Sequence, residues 1–417
     1  MNVLVLGSGG REHSICLNLK KSKKLKNLWC IPGNAGTKEI CNSYKDKLDN
    51  NDKLLGFCKK KKISLVIPGS EEYLDQGISD LLRLSGIKVF GPSKKATLLE
   101  SSKIFTKRIC DLAEIKTARW FILDNYKEAK KKLKSLKFPL VIKLDSLAAG
   151  KGVLVANTYN EAKKFLSNIE KGKIGNKKSK IIIENKIKGK EASFFFAVDG
   201  ISSVFLGSAQ DYKRVGENNT GLNTGGMGCI SPSPLENKKN INIIKEKFIQ
   251  PTIEAMNVLG YPFKGVLYAG LMFNKSDIFL IEYNVRLGDP ESQAIMSRLK
   301  TNFLDICLAV ENKNLNKINI KFDKKPSLCL VLASIGYPGN YKKGYLINDL
   351  EKVDKKNSIV IHAGTKIDNK KKIYTNGGRV LNLVILAKNI KLARLKVYEL
   401  VKNIKCKNLF YRKDIGN

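Results

Sequence analysis

The sequence predicts a multidomain α/β protein: a parallel, doubly wound sheet at the amino end, then two mixed α/β domains, the first carrying a small subdomain. Three observations predict it. At 417 residues the chain is too long for one ordinary core. Its first hundred residues repeat a short apolar run, a Gly- or Pro-rich turn and a stretch long enough for a helix, the pattern of a parallel sheet with a site at its carboxyl ends. Beyond them the chain is rich in strand patterns.

Taken in order, runs at 3–6, 28–31, 65–67 and 87–90 read as the strands of a first domain, residues 1–100. Each meets a breaker: Gly7-Ser-Gly-Gly, Pro32-Gly-Asn-Ala-Gly, Pro68-Gly-Ser-Glu and Gly91-Pro-Ser. Residues 101–320 form a second domain, in which about 119–189 reads as a small subdomain with strands at 140–144, 152–156 and 180–184 and a helix from near Asn160. Further strands are expected at 193–198, 265–273 and 278–283, with a long loop over 210–234. The third domain, 321–417, carries strands near 328–334, 358–362 and 380–387 and a helix over 390–404.

Composition excludes several classes. With 43% hydrophobic and 27% charged residues the chain buries real cores and is neither disordered nor collagen-like. Its most apolar stretch, 192–210, is interrupted by Asp199, so no membrane span is expected. The amino end reads as a strand and not as a signal peptide. Nine scattered cysteines without a CxxC read as reduced apolar residues in a cytoplasmic protein. The net charge of +38 raises nucleic acid as a partner, yet only ten of the 76 basic residues are Arg, and Lys is spread throughout beside abundant Asn and Ile. That distribution reads as compositional drift and solvated lysines, with no specific nucleic-acid partner. Where Lys is the default cation, Arg11, Arg214, Arg286 and Arg379, with His13 and His362, are the informative positions, because only Arg offers a planar fork to carboxylate or phosphate.

Four segments carry chemistry. The turn Gly7-Ser-Gly9-Gly10-Arg11 opens a helix, so its backbone amides form a candidate anion site beside Arg11. It is not the dinucleotide fingerprint, because Glu12 stands where the third glycine belongs and the second strand ends in no acid. Lys143 on a strand, followed by a small-residue loop through Gly150, Lys151 and Gly152, suits a mobile cover over phosphates, although it lacks the Walker A spacing. The stretch from Gln210 to Gly228 combines Lys213, Arg214, Asn223, Thr224, Gly225 and Gly226, the cations, hydroxyls and free amides that hold a phosphoryl group and a carboxylate. Finally, Glu282 and Asn284 are two apart on a strand and share a face, giving hard oxygen ligands for Mg²⁺; Arg286 continues that face, just ahead of Asp289.

With these segments in this order, the chain resembles the phosphoribosylamine-glycine ligase (glycinamide ribonucleotide synthetase) family of the ATP-grasp superfamily, essentially end to end. Pro32-Gly-Asn-Ala-Gly-Thr37, Asn223-Thr-Gly-Gly-Met-Gly228, Gly288-Asp-Pro-Glu291, His362-Ala-Gly-Thr365 and Thr375-Asn-Gly-Gly-Arg379 add to the match. The resemblance implies a pre-ATP-grasp domain, an ATP-grasp domain with a lid subdomain, and ligation of glycine to 5-phosphoribosylamine through glycyl phosphate. ATP and Mg²⁺ or Mn²⁺ are then the cofactors, small molecules the only partners, and a monomer the expected state.

Residue by residue, it implies that Lys103 and Lys143 meet nucleotide phosphates and that the loop around Gly150, Lys151 and Gly152 is the flap. Glu184 would meet the adenine edge with the backbone of Lys186 and Ile187, and Glu191 the ribose. Glu282 and Asn284 match metal ligands. Arg214, Asn223, Thr224 and Arg286 fall where acyl phosphate and glycine are handled. Gly9, Gly10, Arg11, Asn34 and Glu71 look like the phosphoribosylamine side; Gly225, Gly226 and Asp289 are further substrate contacts. Leu144, Ser146, Ser70, Tyr73, Lys186, Tyr212 and Leu222 depart from the usual pattern, and none removes a phosphate, metal or acyl-transfer group. The alternatives are an ATP-grasp ligase for another acid or amine, a basic nucleic-acid binder, and a decayed ligase kept as a scaffold.

Overall fold

The computed structural model describes residues 1–44, 48, 50–146, 152–176, 179–275, 277–353 and 358–417. At the amino end, strands Asn27–Pro32, Asn2–Gly7, Leu65–Pro68 and Lys88–Val89 lie in that order in a parallel sheet. Strand residues alternate between two cores. Leu4, Leu6, Trp29 and Val66 meet the helices Asn51–Lys60 and Ile78–Leu84 on one face. Val3, Val5, Leu28 and Leu65 pack on the other against Ile15, Tyr268, Met296 and Phe303. Because the second core includes residues of the next domain, the sheet's carboxyl ends are pinned against it.

The small subdomain is a four-stranded antiparallel sheet in the order Trp120–Leu123, Ile181–Asn185, Leu140–Leu144 and Val153–Ala156. One face is covered by the helices Tyr126–Leu133 and Tyr159–Glu170, whose Ala129, Leu133, Phe165 and Leu166 close its core. Asn125 and Thr158 cap these helices through their side chains, which satisfies amides that the helix itself leaves open.

A nine-stranded antiparallel sheet, counted among the described residues, forms the rest. Its path runs Asp277–Asn284, Lys264–Asn274, Lys190–Asp199, Ser203–Asp211, Gly228–Ser231, Ser327–Ser334, Arg379–Leu386 and Ser358–His362, with Leu409–Phe410 also pairing to Ser327–Ser334. The ladder therefore passes without a break from the second region into the third. The segment 210–234, expected as a loop, instead holds the end of one strand, a two-stranded ribbon (Arg214–Gly216 with Thr220–Asn223) and the strand Gly228–Ser231. That last strand pairs with Ser327–Ser334, about a hundred residues on, a partner no local pattern announces.

Candidate active site

The carboxyl ends of the first sheet face the end of the strand Asp277–Asn284 across a cavity of about 720 Å³. Gly7, Gly9, Arg11 and Glu71 line it from the first domain, Glu282, Asn284, Arg286, Gly288 and Asp289 from the second, and Arg379 from the third. Lys103, Gly152, Lys213, Thr224 and Gly225 complete the sequence-predicted members. A binding crevice at the carboxyl ends of parallel strands is what the doubly wound arrangement dictates.

Glu282 and Asn284 point to one face of their strand, opposite Gly270 and Tyr268 in register. Burial alone would raise the Glu282 carboxyl, but Lys103, Lys213, Lys143 and Arg286 outweigh it and hold the pKa below the usual carboxylate range. The pair thus presents one anionic and one neutral oxygen donor, which suits a hard divalent cation completed by water and phosphate. Among the described residues no cluster of three or more His, Cys, Asp or Glu side chains forms an all-protein cage.

Beside them, Lys143 Nζ lies 2.9 Å from Glu184 Oε2 and Lys107 Nζ 3.0 Å from Glu184 Oε1, all three buried. Lys143 also donates to the Ile281 carbonyl at 3.2 Å, and Lys107 to the Thr117 hydroxyl at 2.6 Å. Burial would raise the Glu184 carboxyl, yet its two lysines lower it on balance; burial lowers the Lys107 ammonium. Two cations on one carboxylate leave a net positive group, ready for a polyanion. The sequence reading chose Lys103, one helical turn before Lys107 on the helix Lys103–Leu112. Lys103 lines the cavity, whereas Lys107 is the helix's contact to Glu184.

Arg286 is held by two acids. Its Nε is 3.0 Å from Glu71 Oε2 and its Nη2 is 2.7 Å from Glu100 Oε1, while the other Glu100 oxygen accepts the Val285 amide at 2.8 Å. The acids respond in opposite senses: burial raises Glu100, whereas at Glu71 the charges of Arg286 and Arg11 overcome burial and bring the carboxyl down to about 2. Arg379 does similar work for Asp289, its Nη1 lying 3.1 Å from Asp289 Oδ1 and donating to the Gly225 carbonyl at 2.7 Å.

In the glycine turn two backbone amides already have partners within the protein. The Gly9 amide donates to Glu12 at 2.5 Å and the Arg11 amide to Asp289 at 3.1 Å, so the protein's own carboxylates occupy these donors. The glycines give Glu12 room: a Cβ on Gly7 or Gly69 would come within 2.6 Å of its side chain. Gly10 packs on Asn382 and Gln293 and does not line the cavity. Asn34, expected on the substrate side, caps the helix Ala35–Ile40 and donates to the carbonyls of Ser8 at 2.8 Å and His362 at 2.9 Å, tying the first region to the third. His13 and His362 are buried at that junction, where the His362 amide donates to His13 Nδ1 at 2.9 Å; burial depresses their pKa values to about 3 and about 4.

The cavity also holds residues the sequence reading did not single out as site residues. Asp211, at the end of its strand, and Glu291, in the first turn of the helix Glu291–Arg298, both line the cavity. Glu291 Oε1 accepts from the Tyr268 hydroxyl at 3.2 Å and the Ser193 hydroxyl at 3.4 Å. Thr224 accepts the Gly226 amide at 2.9 Å, fixing the turn against Asp211.

Other predicted positions are not among the cavity-lining residues. Arg214 and Asn223 face each other on the exposed ribbon, with Arg214 donating to the Gly221 carbonyl at 2.8 Å. The neighbouring Lys213 enters the cavity instead, 3.4 Å from Glu191 Oε1. Lys186 and Ile187 follow the strand Ile181–Asn185 at the subdomain's rim. Gly150 and Lys151 lie outside the described residues.

Comparison with known proteins follows this geometry closely. The family descriptions "Phosphoribosylglycinamide synthetase" N domain, ATP-grasp (A) domain and C domain match residues 1–100, 101–292 and 327–417. A phosphoribosylamine–glycine ligase of Caldanaerobacter subterraneus subsp. tengcongensis is 43% identical over 417 residues, covering 100% of this chain and 99% of its own length. One of Brucella melitensis biotype 1 is 40% identical, with 100% and 97% covered. The crystal structure of the Thermotoga maritima phosphoribosylamine–glycine ligase superposes with a TM-score of 0.87 at 33% identity, covering 100% of both chains. The biotin carboxylase domain of a Hydrogenobacter thermophilus 2-oxoglutarate carboxylase shares the fold at a TM-score of 0.74 and 16% identity, over 98% of this chain and 91% of that one. With full-length relatives at this identity and all three domains matched in order, the chain belongs to the phosphoribosylamine–glycine ligase family.

Proposed function

We propose that the cavity binds ATP, glycine and 5-phosphoribosylamine together and that ligation takes place there through glycyl phosphate. The chain is an ATP-dependent carbon–nitrogen ligase that joins glycine to phosphoribosylamine in purine biosynthesis. A glycine carboxylate oxygen attacks the γ-phosphorus and ADP leaves. The amine of phosphoribosylamine then attacks the acyl carbon, phosphate leaves, and the amine gives up a proton. No protein nucleophile is needed, so the chain's work is positioning and charge compensation.

The observation that carries this reading is the convergence, around one cavity, of Glu282 and Asn284 with Lys103, Lys213 and Arg286. Lys143, with Lys107, offers point charges to nucleotide phosphates once these compete with Glu184. Glu184 and the backbone of Lys186 and Ile187 take the adenine edge, Glu191 the ribose, and the loop of Gly150, Lys151 and Gly152 excludes water. Glu282 and Asn284 hold Mg²⁺ or Mn²⁺, which when bound neutralises charge on the transferring phosphoryl group. Arg286, fixed by Glu71 and Glu100, orients the acyl phosphate; Thr224, Gly225, Gly226 and Asp289 wall the glycine side. Arg214 and Asn223 join them if the ribbon folds inward. Arg11 with its glycine turn, Glu71 and the Asn34 loop frame phosphoribosylamine. Nine free cysteines support a reducing, cytoplasmic location, and a monomer is the proposed state. The deciding experiment follows ADP release and glycinamide ribonucleotide formation with each substrate omitted in turn. Product dependent on all three supports the reading, and product formed equally well from other amino acids overturns the glycine assignment.

A further inference from the structure

The ribbon Arg214–Gly216 with Thr220–Asn223 has little of its own to hold it. None of residues 214–223 is buried, and among the described residues the two strands pair only with each other. A two-stranded hairpin without a core is marginal in water. Its turn is also strained, for Asn218 and Asn219 both adopt left-handed backbone, with φ of +54° and +56°. Yet Lys213, immediately before the ribbon, lines the cavity, so its aim depends on something outside the hairpin.

The segment 412–416 supplies the missing support. Ile415 is fully buried in the third domain's core, and the Tyr398 hydroxyl donates to the Arg412 carbonyl at 2.9 Å and accepts the Ile415 amide at 3.0 Å. From this base the buried Arg412 spends its whole fork. Nε and Nη2 grip Asp414 at 2.8 and 2.6 Å, while Nη1 donates to the Arg214 carbonyl at 2.8 Å. Asp414 Oδ2 accepts the Asn218 amide at 2.8 Å, in the strained turn itself, and the Lys413 amide donates to Glu217 Oε1 at 3.2 Å. On the other side of Lys213, the Tyr212 hydroxyl accepts the Gly416 amide at 3.1 Å, and the Arg412 guanidinium lies 5.4 Å from the Tyr212 ring centre. Both chain neighbours of Lys213 are therefore fixed by one segment. A lysine at 412 cannot make these three bonds in one plane, which accounts for an arginine in a chain where lysine is the default cation.

We propose that Arg412 and Asp414 are positioning residues of the ligase reaction: they clamp the ribbon so that Lys213 points into the cavity and Arg214 stays outside it. This rests on the reading that Lys213 meets the substrates there. The test is a double-mutant cycle on the full chain. Arg412→Lys should lower kcat/KM about fivefold or more in an otherwise wild-type chain, but about twofold at most in Lys213→Ala, where nothing is left to aim. Asp414→Asn should repeat that pattern. Losses that multiply in the double variants, as a general structural defect gives, overturn the proposal. A second measurement needs no variant. Hydrogen exchange in the wild-type peptide covering 214–223 should run at least about tenfold slower at the Asn218 amide than in an unstructured peptide. Exchange at the unstructured rate overturns the clamp even if no variant folds. Full activity of Lys213→Ala would instead sink the reading of Lys213 in the site, so the two failures are distinguishable.

Discussion

At Glu282 a role in turnover can be tested apart from a role in folding. Its charge is held by several surrounding cations instead of one tight partner. Glu282→Gln should lower kcat by about 100-fold or more while shifting the thermal midpoint only slightly; a near-normal rate over a Mg²⁺ titration would remove it from the metal site. Glu71 behaves differently, because its folded carboxyl titrates near 2, below its ordinary 4.5. Its stabilisation is complete above the ordinary value and is lost as pH falls through the folded one. The difference in melting temperature between wild type and Glu71→Gln should be constant above about pH 5 and shrink in more acidic solution; a gap independent of pH would contradict the Arg286 pairing. Of the site residues, those with an unusual type in a Gly-rich segment were legible in the sequence: Arg286, Asp289, Thr224 and Arg379. Lys107 and Asp211 were not. Lysine abounds on this chain, and a terminal strand aspartate acquires meaning only when Glu291 arrives eighty residues later to share its cavity.

At the scale of elements, the segment from Asp211 to Ser231 carries the main difference between expectation and structure. Its glycines and polar residues suggest a loop, and locally nothing contradicts that. The strand Gly228–Ser231 exists because Ser327–Ser334 supplies its partner, and the ribbon Arg214–Gly216 with Thr220–Asn223 turns Arg214 outward and Lys213 inward. Lys213→Ala should therefore reduce kcat/KM by at least about tenfold, and more than Arg214→Ala does in the same assay. The reverse order would mean that the ribbon folds over the substrates during turnover. Gly226 has φ near +112° and no space for a methyl group. Gly226→Ala should cost about 1–3 kcal/mol of stability by denaturant melt and raise the glycine KM. By contrast, the parallel first sheet and three of the four subdomain strands were readable to within a residue or two, because buried apolar runs mark both their period and their limits, whereas the half-buried strand Trp120–Leu123 was not.

For the molecule as a whole, the charge of +38 predicts behaviour that the site does not use. Scattered lysines should bind duplex DNA of any sequence at low salt and release it between about 50 and 200 mM, with a steep logarithmic slope; tight binding that persists above this range would instead indicate a built nucleic-acid surface. The three-domain order was legible because motifs succeed one another along the chain. The sheet that joins the second region to the third was not, since its strands meet across long sequence separations. That shared ladder bears on how the protein is made. As the chain leaves the ribosome, the strand Gly228–Ser231 waits with one edge open until Ser327–Ser334 emerges, and that strand in turn waits for Arg379–Leu386. A nascent chain halted near residue 320 exposes an unpaired sheet edge of the kind that recruits foreign strands. Two separately expressed pieces cut between these strands have complementary edges, and so the means to find each other and restore the cavity.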